Sequence, residues 1–314
     1  MHLLLPLVSA IVYVIGALLL KRASDLGADI WRTTRIINYT SALVAAPLWV
    51  LGGTIPVSAV WWQPPVAAVL FFTGQIFTLV ALNTGDVSVA TPVLGLKILL
   101  VALLTSVLLG DPIGTRLWTA AALSSAAIAL LNLSPGQSHT RVRTTILLAA
   151  LGAASYACFD VVVQKWSLAW GTGRFLPITM ACAAVYSIPL SRFEAGRRAE
   201  LQVGVTTGRA DLQVGRVIDV QTVLAYTRWL YAGVMCFAIQ GLMFISSVSL
   251  YRQVASANIL YSSRGLWSVV AVWAIGHWFA NREQHLGARV LVWRVLGALL
   301  LMAAIILVIL DYRR

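Results

Sequence analysis

The chain reads as an all-α polytopic membrane protein, with ten transmembrane helices forming two inverted five-helix repeats around a central cavity. Three observations carry that reading. Of its 314 residues, 60% are hydrophobic and only 11% charged, whereas soluble chains average about 45–50% apolar and about 25% charged. Apolar runs recur at about 3–20, 36–52, 64–82, 87–109, 116–132, 144–164, 175–190, 229–249, 252–276 and 289–310. The second half of the chain also echoes the first. With a mean hydropathy of +0.85, a water-exposed globular domain and a disordered chain are both excluded.

Each run is near the 20 residues that a helix needs to cross the hydrocarbon core. The first run lacks a basic leading region and a small-residue cleavage pattern before Lys21-Arg22, so it reads as a span and not a signal peptide. Strict alternation of polar and apolar residues is absent, which argues against an outer-membrane barrel. Pro64-Pro65 opens the third span, Asn83-Thr84-Gly85-Asp86 makes a tight turn to the fourth, and Gly110-Asp111-Pro112 closes the fourth. One long hydrophilic segment, about 191–227, carries the near-repeat Leu201-Gln202-Val203-Gly204 and Leu212-Gln213-Val214-Gly215, read as a short hairpin or a loop.

Lysine and arginine set the orientation. Connections after the odd-numbered spans hold fifteen of them, whereas the termini and the other connections hold six. The positive-inside rule then puts the 191–227 segment in the cytoplasm and both termini outside, in a cell (inner) membrane. The net charge of +12 is expected to face anionic lipid and not nucleic acid. Cys158, Cys182 and Cys236 lie within apolar runs without metal-ligand spacing, so neither a disulfide framework nor a metal site is expected.

The echo between halves is ordered. Phe72 and Gln75 match Phe237 and Gln240, and Val89-Ala90-Thr91 matches Val254-Ala255-Ser256, both at an offset of 165. Ala10 and Tyr13 match Ala153 and Tyr156, and Trp118 lines up with Trp293. The repeats are set at 1–134 and 140–314, and with five spans each, the second must insert upside down. Secondary transporters built this way bind substrate at the repeat interface near the midplane.

The stretch Gly85-Asp86-Val87-Ser88-Val89-Ala90-Thr91-Pro92, running on to Leu109-Gly110-Asp111, resembles the fourth span of EamA-type members of the drug/metabolite transporter superfamily. Leu296-Gly297-Ala298-Leu299 is similar to the tenth-span version. The resemblance covers nearly the whole chain outside 191–227. It implies two five-helix bundles around a cavity lined by spans one, three, four, six, eight and nine, and it implies transport. Where the family often carries a proline in spans four and nine, this chain has Lys97 and Arg264; better-studied members are also drawn with cytoplasmic termini.

Lys97 and Arg264 lie near the middle of their runs, too deep for full snorkelling, and each costs about 2.5–3.5 kcal/mol to insert. The one intramembrane carboxylate is Asp160. One acid cannot neutralise two bases, so a negatively charged substrate would supply the missing charge. On this reading Lys97 and Arg264 bind the anion, and Asn258, Tyr261, Gln75, Gln240 and Tyr156 supply hydrogen bonds. Asp160 then holds Lys97 when the cavity is empty or carries a coupling proton. The structural alternative pairs Lys97 with Asp160 and gives Arg264 to backbone carbonyls where a helix unwinds. Asn258, Tyr261, Arg264 or Gly265, and Ser268 read as one polar stripe, and Tyr156 and Asp160 share a face at i and i+4. Trp61, Trp62, Trp166 and Trp170 read as interfacial belt residues, Trp267 as packing, and Lys21 and Lys165 as headgroup anchors. His2, His139, His277 and His285 lie near span ends and read as loop or interface residues.

No nucleophile elbow, zinc-helix motif or phosphate-cradling glycine loop is present, so an enzyme is not expected, nor a cofactor or metal. The expected function is secondary transport of a small anionic or zwitterionic metabolite, phosphorylated or carboxylated, by alternating access. A flippase for a lipid-linked phosphate and an exporter of amphipathic drugs or metabolites stay open. Expected partners are a small-molecule or lipid-headgroup substrate and the bilayer, with a homodimer left open.

Overall fold

The computed structural model describes residues 3–56, 60–84, 90, 93–110, 112–131, 142–194, 220–275 and 288–312. Among them the chain is helical throughout, with no strand. Gly85–Val89, Thr91–Pro92, the 201–215 near-repeat and all four histidines lie outside the described residues.

The helices are α1 (Leu4–Asp25), α2 (Ile30–Ala45), α3 (Gln63–Thr84), α4 (Lys97–Leu104), α5 (Thr115–Leu131), α6 (Val142–Trp170), α7 (Thr172–Tyr186), α8 (Val220–Tyr251), α9 (Val254–Tyr261), α10 (Arg264–Ile275) and α11 (Ala288–Tyr312). Five segments are long and apolar enough to cross a membrane: Leu4–Asp25, Gln63–Leu82, Arg143–Trp170, Thr172–Glu194 and Tyr226–Tyr251. Val93–Leu109 and Leu296–Asp311 are shorter apolar helices. The 191–227 segment is narrower than the sequence implies, because 190–194 continue helically beyond α7 and α8 starts at Val220.

Among the described residues, the fourth and ninth runs are each interrupted by a turn beside a charged residue. The fourth turns at Leu96, whose N–H bonds the Val93 carbonyl at 3.0 Å. The Gly95 carbonyl instead accepts from the Ser125 hydroxyl of α5 at 3.1 Å. Gly95 itself lies so close to α5 that a Cβ there would stand 2.9 Å from Ile128. The ninth run turns at Ser262-Ser263, between α9 and α10. Lys97 and Arg264 are therefore each the first residue of a helical segment that resumes after a break.

Small residues set the closest contacts. A Cβ at Gly173 would stand 2.5 Å from the carbonyl oxygens of both Gly52 and Leu48, where α7 meets the 3-10 turn after α2. Backbone cannot yield as a side chain does, so Gly173→Ala is expected to cost about 1–3 kcal/mol. Gly241→Ala, with nothing within 4 Å of the new methyl, is the control and is expected to hold stability. Melting temperatures of the two variants check this.

The ends of the helices sort into two groups. Leu3, Thr105, Pro112–Leu117, Arg252–Ser256, Val308 and Asp311 surround a cavity of about 320 Å³ at one end. At the far end of α1, about 33 Å away by its helical rise, Arg35 pairs with Glu194 at 2.7 Å and Arg32 donates to the Tyr226 hydroxyl at 3.0 Å. Trp170 is a correction to the belt reading. It is fully buried, its indole donates to Gln63 at 3.0 Å, and it packs on Phe175 and Trp61. Lys165 spends its ammonium on the Leu108 carbonyl at 3.2 Å, where the end of the fourth run leaves carbonyls without partners.

Candidate functional site

Lys97, Asp160 and Arg264 meet in one aromatic cluster. Lys97 Nζ lies 2.7 Å from Asp160 Oδ2. The Asn258 amide donates to the same oxygen at 2.9 Å and to the Val254 carbonyl at 3.0 Å. Tyr156 and Phe244 present ring faces to the ammonium at 5.5 and 5.4 Å. The Asp160 side chain is 2% exposed and that of Lys97 18%, so the acid is sealed while the base keeps an open side. Gln164, one turn beyond Asp160 on α6, accepts from the Val254 N–H at 2.8 Å. Side chains of α6 thus fix the start of α9 and, through Asn258, its first turn.

Arg264 is held differently. Its guanidinium lies 4.8 Å from the ring centres of both Tyr13 and Tyr261. Among the described residues no carboxylate pairs with it. Tyr261 donates its hydroxyl to Gln240 Oε1 at 2.8 Å, and Ser9 donates to the Gln240 backbone carbonyl at 2.8 Å. The Gln240 amide donates to the Phe237 carbonyl at 3.1 Å. Lys97 and Arg264 are close enough for each to feel the other's charge, and Tyr156 lies within reach of both Asp160 and Arg264.

A reciprocal pattern is visible. Tyr13 of α1 stacks on the base that opens α10, and Tyr156 of α6 stacks on the base that opens α4. The matched tyrosines of the sequence echo therefore attend the two cations.

Other expected site residues also have partners within the protein. The side-chain amides of Gln240 and Asn258 are engaged with Tyr261 and Asp160. Gln75 accepts from Asn38 of α2 at 3.0 Å, and among the described residues it makes no hydrogen bond to the charged cluster. Asn38, 1% exposed with its own carbonyl oxygen unpartnered, went unremarked in the sequence because a lone amide beside charged Arg32 and Arg35 gives no periodic signal. The span-nine stripe is divided by the break, with Asn258 serving Asp160 and Tyr261 facing Arg264. Of the structural alternative read from the sequence, the Lys97–Asp160 pair is present, whereas Arg264 stacks between the Tyr13 and Tyr261 rings.

No protein-family model and no curated protein sequence matches the chain. A protein of known crystal structure is similar over 100% of this chain and 98% of its own, with a TM-score of 0.65 and 15% identity. At that identity the likeness concerns the fold alone.

Proposed function

We propose that the chain is a secondary transporter for a small anionic or zwitterionic metabolite, phosphorylated or carboxylated, working by alternating access. The observation that carries the reading is Arg264. It stands inside the bundle with no carboxylate among the described residues, while the neighbouring Lys97 is already neutralised by Asp160. An arginine in that setting calls for an anion. Asp160 is spent on Lys97 and Asn258 and is not placed as a free acid or base, which supports a non-enzymatic role.

The architecture we propose is ten spans in two inverted repeats, similar to EamA-type drug/metabolite transporters. Support comes from the two groups of helix ends and from the reciprocal Tyr13–Arg264 and Tyr156–Lys97 contacts. Half-helices that begin at a break near the midplane present positive dipole ends to an anion, and here each carries a cation as its first residue.

Two experiments test this. Proteoliposomes preloaded with carboxylates or phosphorylated sugars are expected to accumulate the matching labelled compound by counterflow for at least one of them. Failure across the panel contradicts the transport reading. For orientation, the 191–227 segment carries Arg192, Arg197, Arg198, Arg209 and Arg216 and is placed in the cytoplasm of a cell (inner) membrane. A cysteine introduced at 195–215 is expected to react with an impermeant maleimide only after permeabilisation; labelling of intact cells reverses the orientation and leaves the fold untouched.

A further inference from the structure

Among the described residues, two hydrogen-bond donors beside Arg264 have no acceptor. Ser263 is 1% exposed and its hydroxyl lacks a partner. The Trp267 indole N–H is shut off from solvent and equally unpartnered. Buried polar groups without partners are exceptions that call for a cause, and in an apolar core they are costly.

Their placement is not scattered. The Trp267 backbone N–H bonds the Ser263 carbonyl at 3.0 Å, a helical i to i−4 bond that sets Ser263 one turn before Trp267. With about 100° between successive residues, Ser263, Trp267 and Arg264 fall in that order within an arc of about 100°. Leu266 projects from the other side of α10, where it packs with Ala127 and Leu301. One face of the start of α10 therefore holds a guanidinium without a carboxylate, an indole N–H without an acceptor and a hydroxyl without a partner.

We propose that Ser263 and Trp267 are binding residues of the same site, and that its ligand is a monoanionic carboxylate. One carboxylate oxygen lies on the Arg264 fork, and the other accepts from Trp267 Nε1–H and the Ser263 hydroxyl. The charge count selects one negative charge. Asp160 cancels Lys97, so the cluster of described residues has one positive charge left, and a phosphate dianion would bring one negative charge too many. Both donors are covered in the empty chain, and the carboxylate reaches them by displacing the side chains over them. This inference rests on the anion reading of Arg264.

The test uses the purified full chain with ¹⁵N-indole-labelled tryptophan, titrated with benzoate and, above its second ionisation, with phenyl phosphate. The indole resonance lost in Trp267→Phe is expected to move downfield with benzoate, and phenyl phosphate is expected to bind at least tenfold more weakly. Trp267→Phe keeps a ring for packing and loses the N–H, so benzoate affinity falls about tenfold or more with the melting temperature held. Ser263→Ala falls in the same direction by less. If Arg264→Gln abolishes binding while Trp267→Phe and Ser263→Ala bind like wild type, the two new residues are removed and the Arg264 site stands. If Arg264→Gln binds like wild type, both readings fall. Equal affinity for phenyl phosphate overturns the carboxylate class, and no binding of benzoate by the wild type overturns the proposal.

Discussion

Lys97→Gln is expected to lower stability by about 3–5 kcal/mol, and adding Asp160→Asn to the same chain is expected to restore most of the loss. Removing one partner of a buried ion pair strands the other, which costs far more than the net worth of the pair. Asp160 is the worse group to strand, because its side chain is only 2% exposed and, among the described residues, the Asn258 amide would be its remaining donor. The reverse single variant, Asp160→Asn, leaves a lysine whose side chain is 18% exposed and whose ammonium is flanked by the Tyr156 and Phe244 rings. It is therefore expected to cost less. Melting temperatures of the two single variants and the double variant form a cycle, and simple additivity of the two losses would contradict the pair.

Arg264→Gln is expected to abolish transport while stability holds or rises. Two opposing contributions of similar size bound the change in stability. Stacking on two tyrosines is worth about 0.5–2 kcal/mol each, depending on desolvation, whereas the insertion cost of a mid-span arginine is about 2.5–3.5 kcal/mol. The two nearly offset, and no acid among the described residues is stranded by the change. Arg264→Lys is expected to rescue poorly, because an ammonium neither offers a planar fork to a carboxylate or phosphate nor stacks as flatly between rings. Uptake and melting temperature measured on the same preparations check both halves. A variant that folds and still transports at the wild-type rate removes Arg264 from the site.

Among the described residues, five of the ten apolar runs lie in helices long and apolar enough to cross a membrane, because lipid demands a run of apolar side chains about 30 Å long. Hydropathy located their ends poorly where helices outrun that demand. The start of α8 at Val220 lies within the segment read as polar, since hydropathy registers what must be apolar and not what can be helical. The breaks at Leu96 and Ser262-Ser263 were invisible to the same reading, which treats an apolar run as continuous. Both do leave a trace in composition. Gly95 precedes one break, and Ser262-Ser263 with Gly265 surround the other, so small residues interrupt the helix where the resembled family often uses proline.

The charged cluster was legible because Lys97, Asp160 and Arg264 stand out against an apolar background, and the i to i+4 spacing placed Tyr156 and Asp160 on one face. Which base Asp160 would choose was open, since spacing along separate helices says nothing of distances between them. Uncharged groups were harder. Trp170 reads like any belt tryptophan until packing buries it, and the Asn38–Gln75 hydrogen bond shows only once α2 is seen beside α3. Tyr13 appeared in the repeat but not as a contact, because its role depends on α1 approaching α10.

Ligand-dependent melting of the wild type and Arg264→Gln, run side by side against carboxylates, phosphorylated sugars and lipid phosphates, tests the central claim most directly. A ligand that binds only the folded chain stabilises it by mass action, about 2.7 kcal/mol at a hundred times its Kd. The predicted result is that at least one anion raises the wild-type Tm and that none raises it in Arg264→Gln. An equal rise in both proteins would contradict an anion site built on Arg264.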